Sequence, residues 1–158
     1  MPSHETPADP DRRVRLLLGL GWLAGLPLMS ATAAPTGALP APPAGAQPVD
    51  WDHFGEPSLS AARRANVAVS RALKADAVDT QLYRLPGDAV WESVLGHYQR
   101  SAGPAWTAQP GHERADTGSP ARQQRFVSSE DSRQRFAIVW LPAAGEVRDG
   151  LLMVLRTR

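Results

Sequence analysis

The chain has 158 residues, a formal net charge of +1 and no cysteine. This length provides room for one ordinary domain, and the small net charge supplies no overall field to attract a nucleic acid. The lack of cysteine excludes disulfides, thiolate metal sites and a thiol nucleophile, and it excludes the lipid-bearing cysteine of a bacterial lipoprotein.

Residues 1–33 resemble a secretory signal peptide. Three arginines between positions 12 and 15 precede the apolar run LLLGLGWLAGLPLM, and Ala31 and Ala33 supply the small-residue pair of a cleavage site, so we expect cleavage after Ala33. The run is shorter than the ~20 residues that cross a bilayer comfortably. The pattern predicts a periplasmic or secreted protein; the alternative is an uncleaved anchor in the inner membrane with the rest of the chain outside the cytoplasm.

Residues 34–50 are rich in proline, alanine and glycine and show no periodic apolar face. This composition is typical of a disordered spacer with polyproline character. The sequence therefore predicts a linker over 34–50 and a single folded domain over 51–158.

The first half of that domain shows the pattern of a helix, then of a strand, then of a second helix. Apolar residues at helical spacing predict a helix of about 16 to 18 residues from Ser58. β-forming residues predict a strand over 78–86. A second helix is expected from Asp88, as its N-cap, to Ala102, with one stripe of large side chains. The stripe consists of Trp91, Val94, Leu95 and Tyr98.

The second half predicts a β-meander. A short strand is expected in AWTAQ, and a polar loop over 110–120 is followed by three β-like runs: RQQRFVS, RFAIVWLP and LLMVLRTR. Short connections favour antiparallel neighbours, and the last two runs are apolar on both alternating sets, so both faces should be covered. The predicted fold class is α+β: an antiparallel sheet of four to five strands with one or two packed helices.

The strand ending YRLPGD, the helix ending HYQRSAG, the tryptophan that follows and the meander together resemble small exported bacterial α+β domains without an assigned activity. The resemblance covers residues 78–158. It implies the fold, and it implies no functional residue.

Ser93, His97 and Glu92 on the second helix are the candidates for catalysis. Ser93 and His97 share a helix face, but Glu92 lies about 140° around the helix from His97 and cannot orient it. A serine inside a regular helix also lacks free backbone donors for an oxyanion. We therefore predict no catalytic residue here.

Metal binding is the second chemistry considered. The available ligands would be His53, His97 and His112 with Asp52 or Glu113. No pair shows ligand spacing on an ordered element, so neither a metal nor another cofactor is predicted.

The binding candidates are arginines and aromatic residues. The arginines fall on adjacent strands, where meander geometry can align some of them on one face. They are Arg122, Arg125, Arg133, Arg135 and Arg156, followed by the terminal Arg158. The favoured interpretation of this cluster is nevertheless a solvated face balanced by Glu130, Asp131, Glu146 and Asp149, because the signs are interspersed; a binding face is the alternative. The aromatic docking candidates are Trp91, Tyr98, Trp106 and Trp140.

Two classes of function follow. The favoured one is a non-catalytic binding or accessory module of the cell envelope whose partner is an envelope protein or an anionic surface polymer. Nucleic acid is not expected, membrane contact is expected only through an uncleaved N-terminal segment, and a homodimer is an alternative assembly. The second class is a small envelope hydrolase or metal-binding enzyme centred on His97.

Overall fold

The computed structural model describes residues 38–110, 121–144 and 148–158. The predicted signal peptide and most of the predicted polar loop lie outside these ranges. No helix within them is long and apolar enough to cross a membrane. The two helices are α1 (Ser58–Leu73) and α2 (Trp91–Ala102). The strands are β1 (Gln47–Val49), β2 (Val78–Leu85), β3 (Trp106–Ala108), β4 (Arg122–Ser128), β5 (Arg135–Leu141) and β6 (Gly150–Thr157).

These strands form one antiparallel sheet in the order β1-β2-β6-β5-β4-β3. The α+β class and the C-terminal meander β4-β5-β6 are confirmed, and the sheet has six described strands where four to five were predicted. β6 and β5 occupy the centre, so the two most apolar of the described strands are the most enclosed.

Side-chain alternation along β5 and β6 separates two cores. On one face Ala137, Val139 and Met153 pack beneath α1, whose buried stripe includes Ala65 and Val69. On the other face Ile138, Leu152 and Val154 pack beneath α2, whose buried stripe includes Trp91 and Tyr98. The expectation that both faces of these strands are covered is confirmed, and α1 supplies the second cover.

The helix boundaries follow local backbone chemistry. α1 begins after Pro57 and ends at Lys74, which adopts the left-handed conformation and donates its backbone N–H to the oxygen of Arg71. α2 begins at Trp91 without a side-chain cap, so the predicted capping role of Asp88 is wrong. Asp88 instead lies in a turn before the helix. The N–H of Ala89 donates a hydrogen bond to the backbone oxygen of Pro86 and closes this turn.

Residues 38–50 differ from the predicted linker because they belong to the folded body. β1 pairs with β2 in the register Gln47↔Arg84 and Val49↔Leu82. Leu39 packs against the α2 core. A proline in a strand is tolerated at the sheet edge, where its missing donor faces no partner, and β1 is an edge strand.

Candidate anion-binding groove

The sheet divides the predicted arginines between its two faces. The register pairs Arg125 with Ala137, which places Arg125 on the α1 side. Arg135 lies two residues before Ala137 and shares that face. Arg122 is paired with Trp140 on the α2 side, and Arg156 is paired with Phe136 on the same side.

Three of the predicted arginines form ion pairs. Arg122 Nη1 lies 3.4 Å from Glu92 Oε1, Arg133 Nε lies 3.2 Å from Asp131 Oδ1, and Arg158 binds Asp79. These contacts are exposed, and exposed ion pairs contribute little to stability. For these three arginines, the contacts agree with the solvated face that the interspersed charges predict.

The arginines of two of these pairs lower the pKa of the carboxylate that they contact. The hydrogen bond from Arg158 lowers the pKa of Asp79 below its ordinary value, with further lowering by the charges of Arg158 and Arg156. Hydrogen bonds from the backbone and side chain of Arg133 lower the pKa of Asp131. Arg156 is therefore also part of this ionic surface, because it lies across from Asp79 on the neighbouring strand.

Arg125 and Arg135 instead meet Lys74 at a groove beside the end of α1. Since Val127 is paired with Arg135, the two arginines are diagonal neighbours, which lie about 7–8 Å apart in an antiparallel pair. The groove has a volume of about 420 Å³. Its described lining residues are Ala72, Leu73, Lys74, Gln109, Pro110, Arg125, Val127, Ser132 and Arg135. Three of these are cations and none is an acid.

Arg135 is held in place by the backbone around it. Its Nη1 donates to the oxygen of Leu73 at 3.1 Å, and its Nε donates to the oxygen of Ser132 at 2.9 Å. The first bond satisfies a carbonyl at the end of α1, where a cation is favourable to the helix dipole. Arg135 therefore has a structural role besides contributing charge to the groove.

Arg125 has no such partner among the described residues. Its Nε is buried without a hydrogen bond there, and no ion pair of the described residues includes its guanidinium. The buried Nε cannot be reached from the groove, so an oxyanion would bind the other guanidinium nitrogens of Arg125, which belongs to the groove lining. Gln124 orders the neighbouring wall, because its amide donates to the oxygen of Gln109 at 2.7 Å.

The candidate catalytic residues are not assembled into a site. His97 Nε2 lies 2.8 Å from the oxygen of Ala41, and no hydrogen bond within the described part of the chain joins Ser93 to His97. Glu92 is bound to Arg122. Within the same ranges no three of the residue types His, Cys, Asp and Glu come together as metal ligands. His112 and Glu113 lie outside them.

The aromatic candidates lie mostly in the core. Trp91, Tyr98 and Trp106 are buried and Trp140 is half-buried. The rings of Trp106 and Phe136 pack edge to face, with their centroids 4.8 Å apart. Burial raises the pKa of the Tyr98 hydroxyl above its ordinary value. These side chains fill the space between α2 and the sheet.

Sequence reasoning missed Lys74 and the groove wall formed by Gln109 and Ser132. Lys74 is the only lysine of the chain and follows the last turn of the first helix, which is a position where a cation meets free carbonyls. That signal could have placed Lys74 near a helix end, but the position of Lys74 beside Arg125 depends on how α1 packs across the sheet.

No family model matches the chain, and no curated protein and no solved structure matches it. The function is therefore inferred from the geometry of the groove.

Proposed function

We propose that the chain is an exported, non-catalytic binding module that holds an anionic group of its partner in the groove of Lys74, Arg125 and Arg135. The observation that carries this proposal is a groove whose described lining contains three cations and no carboxylate, one of them, Arg125, without an ion pair among the described residues. Three other predicted arginines, Arg122, Arg133 and Arg158, already have carboxylate partners.

The chemistry of the groove suits an oxyanion. An arginine guanidinium presents several donors in a planar fork that matches phosphate and carboxylate oxygens, and a lysine adds a mobile charge from a flexible stem. Arg135 is fixed by Leu73 and Ser132, so one charge is preorganised before any ligand arrives. Preorganisation reduces the entropy lost on binding.

The experiment is a titration of the purified protein with inorganic pyrophosphate, followed by NMR of the backbone amides. We expect saturable shifts at residues around Lys74, Arg125 and Arg135, and we expect Arg122→Gln to leave them unchanged because Arg122 lies on the opposite face. Shifts spread evenly over all surface arginines, or no saturation, would count against the groove.

Export is tested separately. The signal-peptide pattern predicts a mature chain that begins near Ala34 and is found outside the cytoplasm. N-terminal sequencing of protein from envelope and cytoplasmic fractions checks this, and a soluble cytoplasmic chain with an intact Met1 would contradict it.

A further inference from the structure

The outer surface of α1 carries positive charges and no negative one. The helix contains three arginines and no acidic residue. Arg63, Arg64 and Arg71 are exposed, as is Lys74 at the C-cap. With 100° per residue, the three arginines fall within an arc of about 100° on the side opposite the buried stripe. None of these four side chains takes part in an ion pair of the described residues.

This surface leads directly into the groove. Arg64 and Lys74 are ten positions apart, which at 1.5 Å per residue corresponds to about 15 Å along the helix axis. Lys74 is at once the end of this row and part of the groove lining. The row of Arg63, Arg64, Arg71 and Lys74, called here the α1 stripe, therefore forms one cationic track with Arg125 and Arg135.

We infer that this track binds a linear polyanion, with one end of the polymer in the groove and successive anionic groups along the α1 stripe. This inference rests on the proposed function, because the groove anchors the polymer. A narrow track of separated cations matches a chain with repeated charges, whereas a single compact anion would use the groove alone.

A membrane surface fits the same charges less well. Binding to a bilayer is strengthened by apolar side chains that enter it. In the described residues, Val67 and Val90 are the exposed large hydrophobic side chains. Val67 belongs to α1 and Val90 precedes α2, on opposite layers of the molecule. Among the described residues, α1 therefore offers a bilayer one exposed large hydrophobic side chain, that of Val67.

The test compares the affinity for pyrophosphate with the affinity for linear polyphosphates of increasing length. Isothermal titration calorimetry of the purified protein at two salt concentrations measures both. We expect affinity to rise with chain length and the longer polymers to show the steeper salt dependence, because each added contact releases counterions. The double variant Arg64→Gln, Arg71→Gln should weaken long polyphosphate binding by about thirtyfold, since it removes two cations of the α1 stripe.

The same variant should leave pyrophosphate binding unchanged, because both substituted residues lie outside the groove lining. Arg100→Gln is the matched control: this arginine is exposed on α2, on the other side of the sheet, and should not alter polymer affinity. Circular dichroism checks that each variant remains folded.

The outcomes separate the two proposals. If pyrophosphate binds in the groove but affinity is independent of polymer length, the polyanion track is refuted while the proposed function stands. If pyrophosphate itself does not bind, the proposed function fails. If phosphatidylglycerol vesicles bind more tightly than polyphosphate and depend on Arg64 and Arg71, the partner is a membrane and the polyanion inference is overturned.

Discussion

The Nε2 atom of His97 lies 2.8 Å from the backbone oxygen of Ala41, which joins the second helix to the proline-rich segment near the N-terminal end of the folded body. Leu39 and Ala46 pack against the same side of the sheet. His97 therefore serves as an attachment point for residues 38–46, and this contact occupies one of its two ring nitrogens.

Replacement of His97 by alanine should release this segment while leaving the rest of the domain folded. The loss of one hydrogen bond should lower the free energy of unfolding by about 1 kcal/mol and increase proteolysis within residues 38–46. Limited proteolysis with mass spectrometry measures the second effect. Gln99→Ala is the control, since Gln99 is exposed on the same helix; equal proteolysis in both variants would contradict the attachment role.

Truncation of Trp91 should be much more costly. Its ring is buried between α2 and the sheet and faces Trp140 at a centroid distance of 6.5 Å. Trp91→Ala should reduce the free energy of unfolding by about 3 to 5 kcal/mol, as measured by urea denaturation. Val90→Ala at the preceding, exposed position should change it by less than ~0.5 kcal/mol. A small effect at Trp91 would mean that this core is not close-packed.

Removal of α1 should expose one whole face of the central strands. A chain beginning at Val78 lacks β1 and α1, so the fully buried Ala137, Val139 and Met153 would face solvent. We expect this chain to aggregate or dimerise, and a chain beginning at Ala34 to remain monomeric. Light scattering after size-exclusion chromatography distinguishes them. A cooperatively folding monomer from Val78 would refute the covering role of α1.

Asp79 should contribute a small, salt-sensitive stabilisation. Its pKa in the folded state lies below the ordinary value of 3.8, mainly because Arg158 donates a hydrogen bond to its carboxylate. A depressed pKa means that the stabilisation is present above 3.8 and is lost as the pH falls through the folded-state value.

Asp79→Asn should therefore flatten the acid limb of the stability curve, with a smaller difference from the unmodified protein at high salt because the pair is exposed. Urea denaturation across the acid range measures the effect. Asp88→Asn is the control, since Asp88 is exposed and forms none of the described ion pairs. An unchanged acid limb in Asp79→Asn would contradict the assignment.

Much of the architecture could be predicted from the chain because its strongest signals are periodic. The alternating apolar sets of β5 and β6 required cover on both faces, and the helical stripes of α1 and α2 provided it. β1 was missed because Pro48 and its neighbours have the composition of a spacer. Their strand conformation depends on pairing with Leu82 and Arg84, which lie far away in sequence.

The groove could be predicted only in part. The sequence identified Arg125 and Arg135 as members of an arginine cluster on adjacent strands. It did not show which members already had carboxylate partners, because pairs such as Arg122 with Glu92 join a strand to a helix. The position of Lys74 depends on α1 crossing the sheet near Arg135, and that crossing is a tertiary relationship without a local pattern.

The most direct test of the binding site is a pair of measurements on Arg125→Met, which keeps an apolar stem of similar length and removes the guanidinium. We expect pyrophosphate affinity to fall at least about tenfold, as for loss of a charge-assisted hydrogen bond, while the free energy of unfolding stays the same or rises. Unchanged affinity, or a variant destabilised as strongly as Trp91→Ala, would show that Arg125 serves the fold and not a ligand.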